Sequence, residues 1–252
     1  MARLRAPNPW MSTRSRLDEL LVARGFYSSR SRARDAILRG AVTVDGLPAV
    51  KPAQLVSSDA SLDVADEAQA YVSRAALKLK HGLRHFGIPV KDSHALDIGA
   101  STGGFTQVLL EEGAAHVTAI DVGHGQLQVQ NPRVISIEGL NARDLARGHL
   151  AHPIDLIVCD VSFISLRLAL PAALDLAEEG AHLVALIKPQ FEVGRSALGK
   201  GGIVTDEAER QRVCEEIAAF LRGQGWRVLG IVPSPIAGGD GNQEFLIAAR
   251  KG

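Results

Sequence analysis

Asp97-Ile98-Gly99-Ala100-Ser101-Thr102-Gly103-Gly104-Phe105 is the stretch that decides how this chain folds. An apolar pair, Ala95 and Leu96, leads into it, and Thr106-Gln107-Val108-Leu109-Leu110 continues it in a helical pattern. A glycine-rich turn from strand to helix lets backbone N–H groups approach a ligand at the positive end of the helix. One glycine, three residues and then two glycines is not the G-x-G-x-x-G spacing of dinucleotide-binding turns. Working outward, strand and helix signals alternate at residues 94–98, 102–111, 116–121, 133–137, 154–159, 166–177, 183–187 and 207–222, with two further strand signals at 226–232 and 244–249. Alternating β and α elements predict an α/β fold with a doubly wound, mostly parallel sheet. The last two strand signals have no helix between them and predict an antiparallel final pair.

A chain of 252 residues with 46% hydrophobic and 22% charged residues can bury an ordinary globular core. The most apolar segment, residues 154–170, is interrupted by Asp155, Asp160 and Arg167, which argues against a transmembrane helix. Residues 1–15 lack the apolar core of a secretory signal, so a cytoplasmic location is expected. Met11 is a candidate start, since organised sequence begins only near Arg14. Cys159 and Cys214 lie far apart without metal-ligand spacing and read as reduced, buried thiols; no metal site is expected.

The formal net charge of zero conceals an asymmetry. Residues 1–40 hold nine arginines against Asp18, Glu19 and Asp35, so that segment carries +6 and the remainder −6. Such a split points to a basic module for a polyanion joined to a more acidic domain. Leu17, Leu20 and Leu21 fall at helical spacing before Gly25, and Ser28 or Ser29 can cap a second helix ending near Leu38. Val42-Thr43-Val44, the Asp45-Gly46 turn and the Leu62/Val64 pair predict a small hairpin and closing strand. The expected organisation is an extension over 1–13, a binding module over 14–64, a linker over 65–72 and the sheet domain over 73–252.

The loop spacing reads as the cofactor turn of an S-adenosylmethionine methyltransferase, with Gly99, Ser101, Gly103, Gly104 and Phe105 as candidate contacts. Asp121 ends the next strand, where a carboxylate can accept both ribose hydroxyls of a nucleoside cofactor. Asn141, after the third strand, is a candidate for adenine. Hydride transfer is disfavoured, because Tyr27 and Tyr71 both precede the sheet and leave it without the usual tyrosine acid. The fourth strand runs into Asp160-Val161-Ser162-Phe163, not the Asn/Asp-Pro-Pro-aromatic run of base-amine methyltransferases. A Pro-Cys nucleophile for a pyrimidine carbon is missing as well. What remains is Asp160, Lys188 after the fifth strand, Lys78 from the helix that precedes the sheet, and Glu244 at the last strand. Two lysines and two carboxylates suit methyl transfer to a hydroxyl, a weak acid whose proton an amine must take.

Residues 73–79 (Ser73-Arg74-Ala75-Ala76-Leu77-Lys78-Leu79), the glycine loop, Asp160 and Lys188-Pro189 together resemble FtsJ-type RNA 2′-O-methyltransferases. Residues 16–64 resemble the S-four RNA-binding domain. With Gly199-Lys200-Gly201-Gly202-Ile203-Val204 and Gly241-Asn242-Gln243-Glu244-Phe245 added, the whole is similar to the TlyA family over residues 14–250. The resemblance implies S-adenosylmethionine-dependent 2′-O-methylation of cytidine in ribosomal RNA, with rRNA or ribosomal subunits as partner and no protein partner. It implies a catalytic tetrad of Lys78, Asp160, Lys188 and Glu244, with Lys188 as proton acceptor. It also implies cofactor contacts at Gly103, Phe105, Asp121, Asn141 and Asp160. Asn141 stands where some relatives have Asp, and Ala75 and Ala76 where many have glycine. Arg16, Arg30, Arg32, Arg34 and Arg39 are the candidate phosphate contacts of the basic module. A non-catalytic RNA-binding assembly factor and a membrane-acting haemolysin are the alternatives, the second lacking an evident membrane segment.

Overall fold

A computed structural model of the chain describes residues 13–194 and 198–252. It divides into two compact units, one ending at Glu67 and one running from Ala68 to Gly252. The expected extension over 1–13 lies outside the described residues except for Thr13, and so do residues 195–197 of the 192–205 loop.

The first unit opens with a short strand, β1 (Arg14–Arg16), followed by helices α1 (Leu17–Ala23) and α2 (Arg30–Leu38). Ser29 caps α2 by accepting the Arg32 N–H, while Gly25 and Gly40 take the left-handed conformation that ends each helix. Strands β2 (Val42–Val44), β3 (Leu47–Pro48), β4 (Leu55–Ser57) and β5 (Leu62–Val64) complete it. β2 pairs antiparallel with β3 through Asp45 and Gly46, both at positive φ, and pairs with β5 on its other side. The β1–β4 pair has no clear alternating signal in the sequence. Leu17, Leu21, Ala33, Ile37 and Val42, all at most 1% exposed, form the centre of a small core.

In the second unit, helix α3 (Ala75–Phe86) precedes the sheet and ends at Gly87, where φ is +63°. There follow β6 (His94–Ile98), α4 (Gly104–Glu111), β7 (His116–Asp121), β8 (Val134–Glu138), β9 (Ile154–Cys159), α5 (Leu166–Ala169) and α6 (Pro171–Leu176). The chain closes with β10 (Ala177–Ile187), α7 (Pro189–Glu192), α8 (Glu207–Gly223), β11 (Trp226–Pro233) and β12 (Phe245–Lys251). The strands form one sheet in the order β11-β12-β10-β9-β6-β7-β8. β8, β7, β6, β9 and β10 are parallel, and β12 is antiparallel to both β10 and β11, as the missing helix at the end of the chain predicts.

Side-chain alternation divides the core into two layers. Leu96, Ile98, Ile157, Cys159, Leu183 and Ile187 face α5, α6 and α8, whereas Ala95, Leu156, Val158, Val184 and Leu186 face α3 and α4. Both cysteines are unpaired and buried. The helix expected over 166–177 is split in two, because Pro171 has no N–H with which to continue α5 and instead starts α6. The strand expected at 183–187 starts earlier, at Ala177, with an irregular register before His182.

The parallel register aligns Ile98 with Ile120 and Cys159, and Cys159 with Ala185. The residues that follow those strand ends, namely the glycine loop, Asp121, Asp160 and Lys188, therefore emerge along one edge of the sheet. Leu79, wholly buried between α3 and the sheet, carries part of that arrangement. Leu79→Ala should destabilise the sheet domain by roughly 2–5 kcal/mol, read from the midpoint of a urea melt.

Candidate active site

The glycine loop is shaped by contacts that leave no space for side chains. Gly99 sits at φ +81°, and a Cβ built on it would lie 2.6 Å from the backbone oxygen of Asp160. Gly103 sits at φ +101°, and its Cβ would meet Val129 Cγ2 at 2.6 Å. A Cβ on Gly104, the first residue of α4, would be 2.9 Å from Ser73 Cβ. Ser101 adopts φ +46°, a conformation rare for a residue with a Cβ, and its N–H donates to Asp121 Oδ2 at 2.8 Å. The other Asp121 oxygen accepts the Gly123 N–H at 2.7 Å. The carboxylate that ends β7 thus fastens the loop that follows β6.

Two connected spaces open along this edge. The larger, about 960 Å³, is lined by Gly99, Ser101, Asp121, Asn141, Asp160 and Phe163, among others. The smaller, about 150 Å³, is bounded by Ser73, Thr102, Gly104, Phe105, Asp160 and Lys188. Gly99, Ser101, Asp160 and Ser162 border both. Asn141 lines the larger space while its Oδ1 caps the 3-10 turn Ala142–Asp144, accepting from Arg143 N at 3.1 Å. Gly103 packs against Leu127 and Val129.

Lys78, Asp160, Lys188 and Glu244 come together as two lysine–carboxylate contacts. Lys188 Nζ lies 2.6 Å from Asp160 Oδ1, and Lys78 Nζ lies 2.5 Å from Glu244 Oε2. Lys78 and Glu244 are buried, at 6% and 2% exposure. Burial pushes the Glu244 carboxyl above its ordinary range, against the opposing pull of Lys78 and Lys188, so the two pairs act on one another electrostatically. Both lie at the edge where the glycine loop opens, and each offers an amine held by a carboxylate.

Several residues that the sequence did not mark belong to this region. Lys188 Nζ donates a hydrogen bond to Ser162 Oγ at 2.9 Å. Phe163, 89% exposed and at φ +65°, stands at the rim with its ring 5.0 Å from that of Phe191. A rigid exposed aromatic leaves no periodic signature in a sequence. Asn242, fully buried, accepts the Val204 N–H and donates to Gly202 O and Asp240 Oδ2, pinning the loop that leads to Glu244.

Asp97, wholly buried beneath the loop, accepts from Thr106 Oγ1 at 2.6 Å through one oxygen and leaves Oδ1 without a partner. Burial, with Asp160 and Asp121 adding repulsion, pushes its carboxyl up to about 7. Asp121 and Asp160 line the larger cavity and Asp97 lies buried close to both, a grouping of carboxylates that suits a ligand carrying positive charge.

In the first unit, the five arginines differ in their engagement. Arg16 binds Asp18 through two nitrogens, Arg30 pairs with Asp18 and Glu19, and Arg39, 17% exposed in its side chain, pairs with the buried Asp66. Arg32 and Arg34 stand exposed on α2.

These features meet their match among known proteins. Residues 71–251 match the model of the FtsJ-like methyltransferase family, and residues 15–61 match that of the S4 domain. The chain is 47% identical to the 16S/23S rRNA (cytidine-2′-O)-methyltransferase TlyA of Mycobacterium tuberculosis over 244 residues, covering 95% of this chain and 91% of that protein. The chain belongs to the TlyA family of FtsJ-like methyltransferases. Another relative is Hemolysin A of Brachyspira hyodysenteriae, 40% identical over 92% of this chain and 98% of its own length. A solved structure from Streptococcus thermophilus, provisionally named a hemolysin, superposes with a TM-score of 0.73 at 39% identity, covering 96% of this chain and 90% of that one. Within the described residues of this TlyA-family chain, no helix is long and apolar enough to cross a membrane.

Asp97 also sets a pH dependence. Between about 4 and 7 the folded chain holds a proton that the unfolded chain has released, so this group's contribution to stability falls as pH rises through that window. Asp97→Asn should therefore be the more stable protein at pH 8, by on the order of 2–4 kcal/mol, with the gain vanishing near pH 4. Urea melts at the two pH values check this.

Proposed function

We propose that this chain methylates the 2′-hydroxyl of a cytidine in ribosomal RNA, using S-adenosylmethionine. The observation that carries the reading is the pair of lysine–carboxylate contacts: Lys188 with Asp160 on the wall of the glycine-loop cavity, and Lys78 with Glu244 buried within electrostatic reach of them. The family supplies the substrate: the M. tuberculosis relative is named for cytidine 2′-O-methylation of 16S and 23S rRNA.

The residues present fit the cofactor. Gly99 and Gly104 let the loop close on Asp160 and Ser73 at the cavity wall, and Asp121 keeps lone pairs for ribose hydroxyls beyond the two N–H bonds it accepts. Asn141, which lines the larger space, is the candidate for adenine, with Gly103 supporting the loop and Phe105 forming part of the wall of the smaller space. Asp121 and Asp160 on the cavity wall give it negative charge, which favours a sulfonium. When bound there, S-adenosylmethionine supplies an electrophilic methyl carbon.

The chain's own residues then orient and deprotonate the acceptor. Lys188 Nζ takes the proton of the attacking hydroxyl, and Asp160 holds that amine in place. Lys78 and Glu244, fixed to one another and shielded from water, position the ribose. Phe163 and Phe191 offer apolar faces against which a base can stack. The first unit contributes backbone phosphate contacts, for which Arg32 and Arg34 are the exposed candidates on α2, with Arg30 beside them and Arg16 and Arg39 anchoring the module through Asp18 and Asp66.

Two experiments test this reading. Purified protein should transfer labelled methyl from S-adenosylmethionine to rRNA, yielding 2′-O-methylcytidine. Lys188→Ala should keep cofactor affinity and lose transfer at least about 100-fold; undiminished transfer would refute the assigned proton acceptor. Replacing Arg32 and Arg34 together by alanine should weaken RNA binding and lower the slope of log affinity against log salt by about 1 for each phosphate contact removed. An unchanged slope would place the contacts elsewhere.

A further inference from the structure

The amine that takes the substrate proton must give it up again before the next turnover, and among the described residues one exposed group, Ser162, is hydrogen-bonded to it. Lys188 Nζ has two oxygen neighbours. Asp160 Oδ1 is 2.6 Å away but is shielded from water and makes no well-angled hydrogen bond. Ser162 Oγ, at 2.9 Å, accepts the amine's hydrogen bond, and Ser162 is exposed. Lys78 and Glu244 offer no alternative route, being buried at 6% and 2% exposure.

Ser162 is also held where it stands. The loop that carries it runs from Asp160 to the start of α5, and its far end is locked by Glu192. That carboxylate accepts from Ser165 Oγ at 2.6 Å and from Leu166 N at 2.7 Å. Glu192 is on α7, four residues beyond Lys188. The segment bearing the amine and the loop bearing the hydroxyl are therefore stapled together, and a hydroxyl can accept a proton through its oxygen while releasing its own.

Resting on the methyl-transfer reading above, we infer that Ser162 is the positioning residue of Lys188 and the relay by which its proton reaches solvent. The proton taken from the substrate hydroxyl moves from Nζ to Ser162 Oγ as the serine's own proton passes to water, so one proton enters and one leaves. Lys188 returns to the neutral amine and the serine is unchanged.

Steady-state, multiple-turnover methylation of rRNA at saturating S-adenosylmethionine tests this with Ser162→Ala. The expected result is a rate lowered about 10-fold or more, with cofactor affinity within about twofold of the parent protein. Ser162→Thr, which keeps the hydroxyl, should recover most of the rate, and high concentrations of imidazole buffer should accelerate Ser162→Ala but not the parent. An unchanged rate in Ser162→Ala overturns the inference. So does a lowered rate that neither threonine nor buffer restores. The parent protein and Lys188→Ala are run alongside: an inactive parent or an active Lys188→Ala defeats the underlying reading, whereas failure confined to the serine series defeats the relay alone.

Discussion

The structure depends on the approach of two backbones at Gly99. There the turn leaving β6 lies so close to Asp160 at the end of β9 that a single Cβ would sit 2.6 Å from a carbonyl oxygen. The contact is reinforced by Asp160 N donating to Ile98 O at 3.0 Å. It brings the cofactor loop and the first acidic residue of the tetrad to the same point. Every larger residue at 99 would push the two strand ends apart and separate a ligand on the loop from the amine that Asp160 holds. A glycine with positive φ is what lets both needs be met in one place.

Charge burial is the second constraint. Lys78 and Glu244 are far apart in sequence, yet both are nearly free of water and satisfy one another. An unpaired charge in that position would cost several kcal/mol, so each residue requires the other. Asp97 shows the opposite case: its carboxyl, with one oxygen unpartnered, is driven toward neutrality by the same surroundings. The two further carboxylates, Asp121 and Asp160, add to the repulsion that keeps Asp97 protonated.

Much of this was legible beforehand because the signals are local. Glycine spacing, the apolar strands ending in Asp121, Asp160 and Lys188, and the missing helix between the last two strands all depend on neighbours a few residues away. The helices of the first unit were legible for the same reason, through Ser29 and the two terminating glycines. The split of the expected 166–177 helix at Pro171 was missed although proline was in view, since its apolar pattern runs straight through. Partners were the harder matter: Arg16 and Arg39 read as phosphate contacts by composition, and only the folded chain shows Asp18 and Asp66 beside them.

The sequence by itself determined the sheet, its antiparallel final pair, the glycine loop and the charged residues that follow the strand ends. Periodicity, glycine and strand-end charge are written into consecutive residues. Tertiary structure alone decided which amine pairs with which carboxylate, that Ser162 receives the Lys188 hydrogen bond, and that Glu192 and Asn242 hold the loops around them. Those contacts join segments separated by 26 to 166 residues, and nothing in a linear pattern records the angle at which two strands or loops meet.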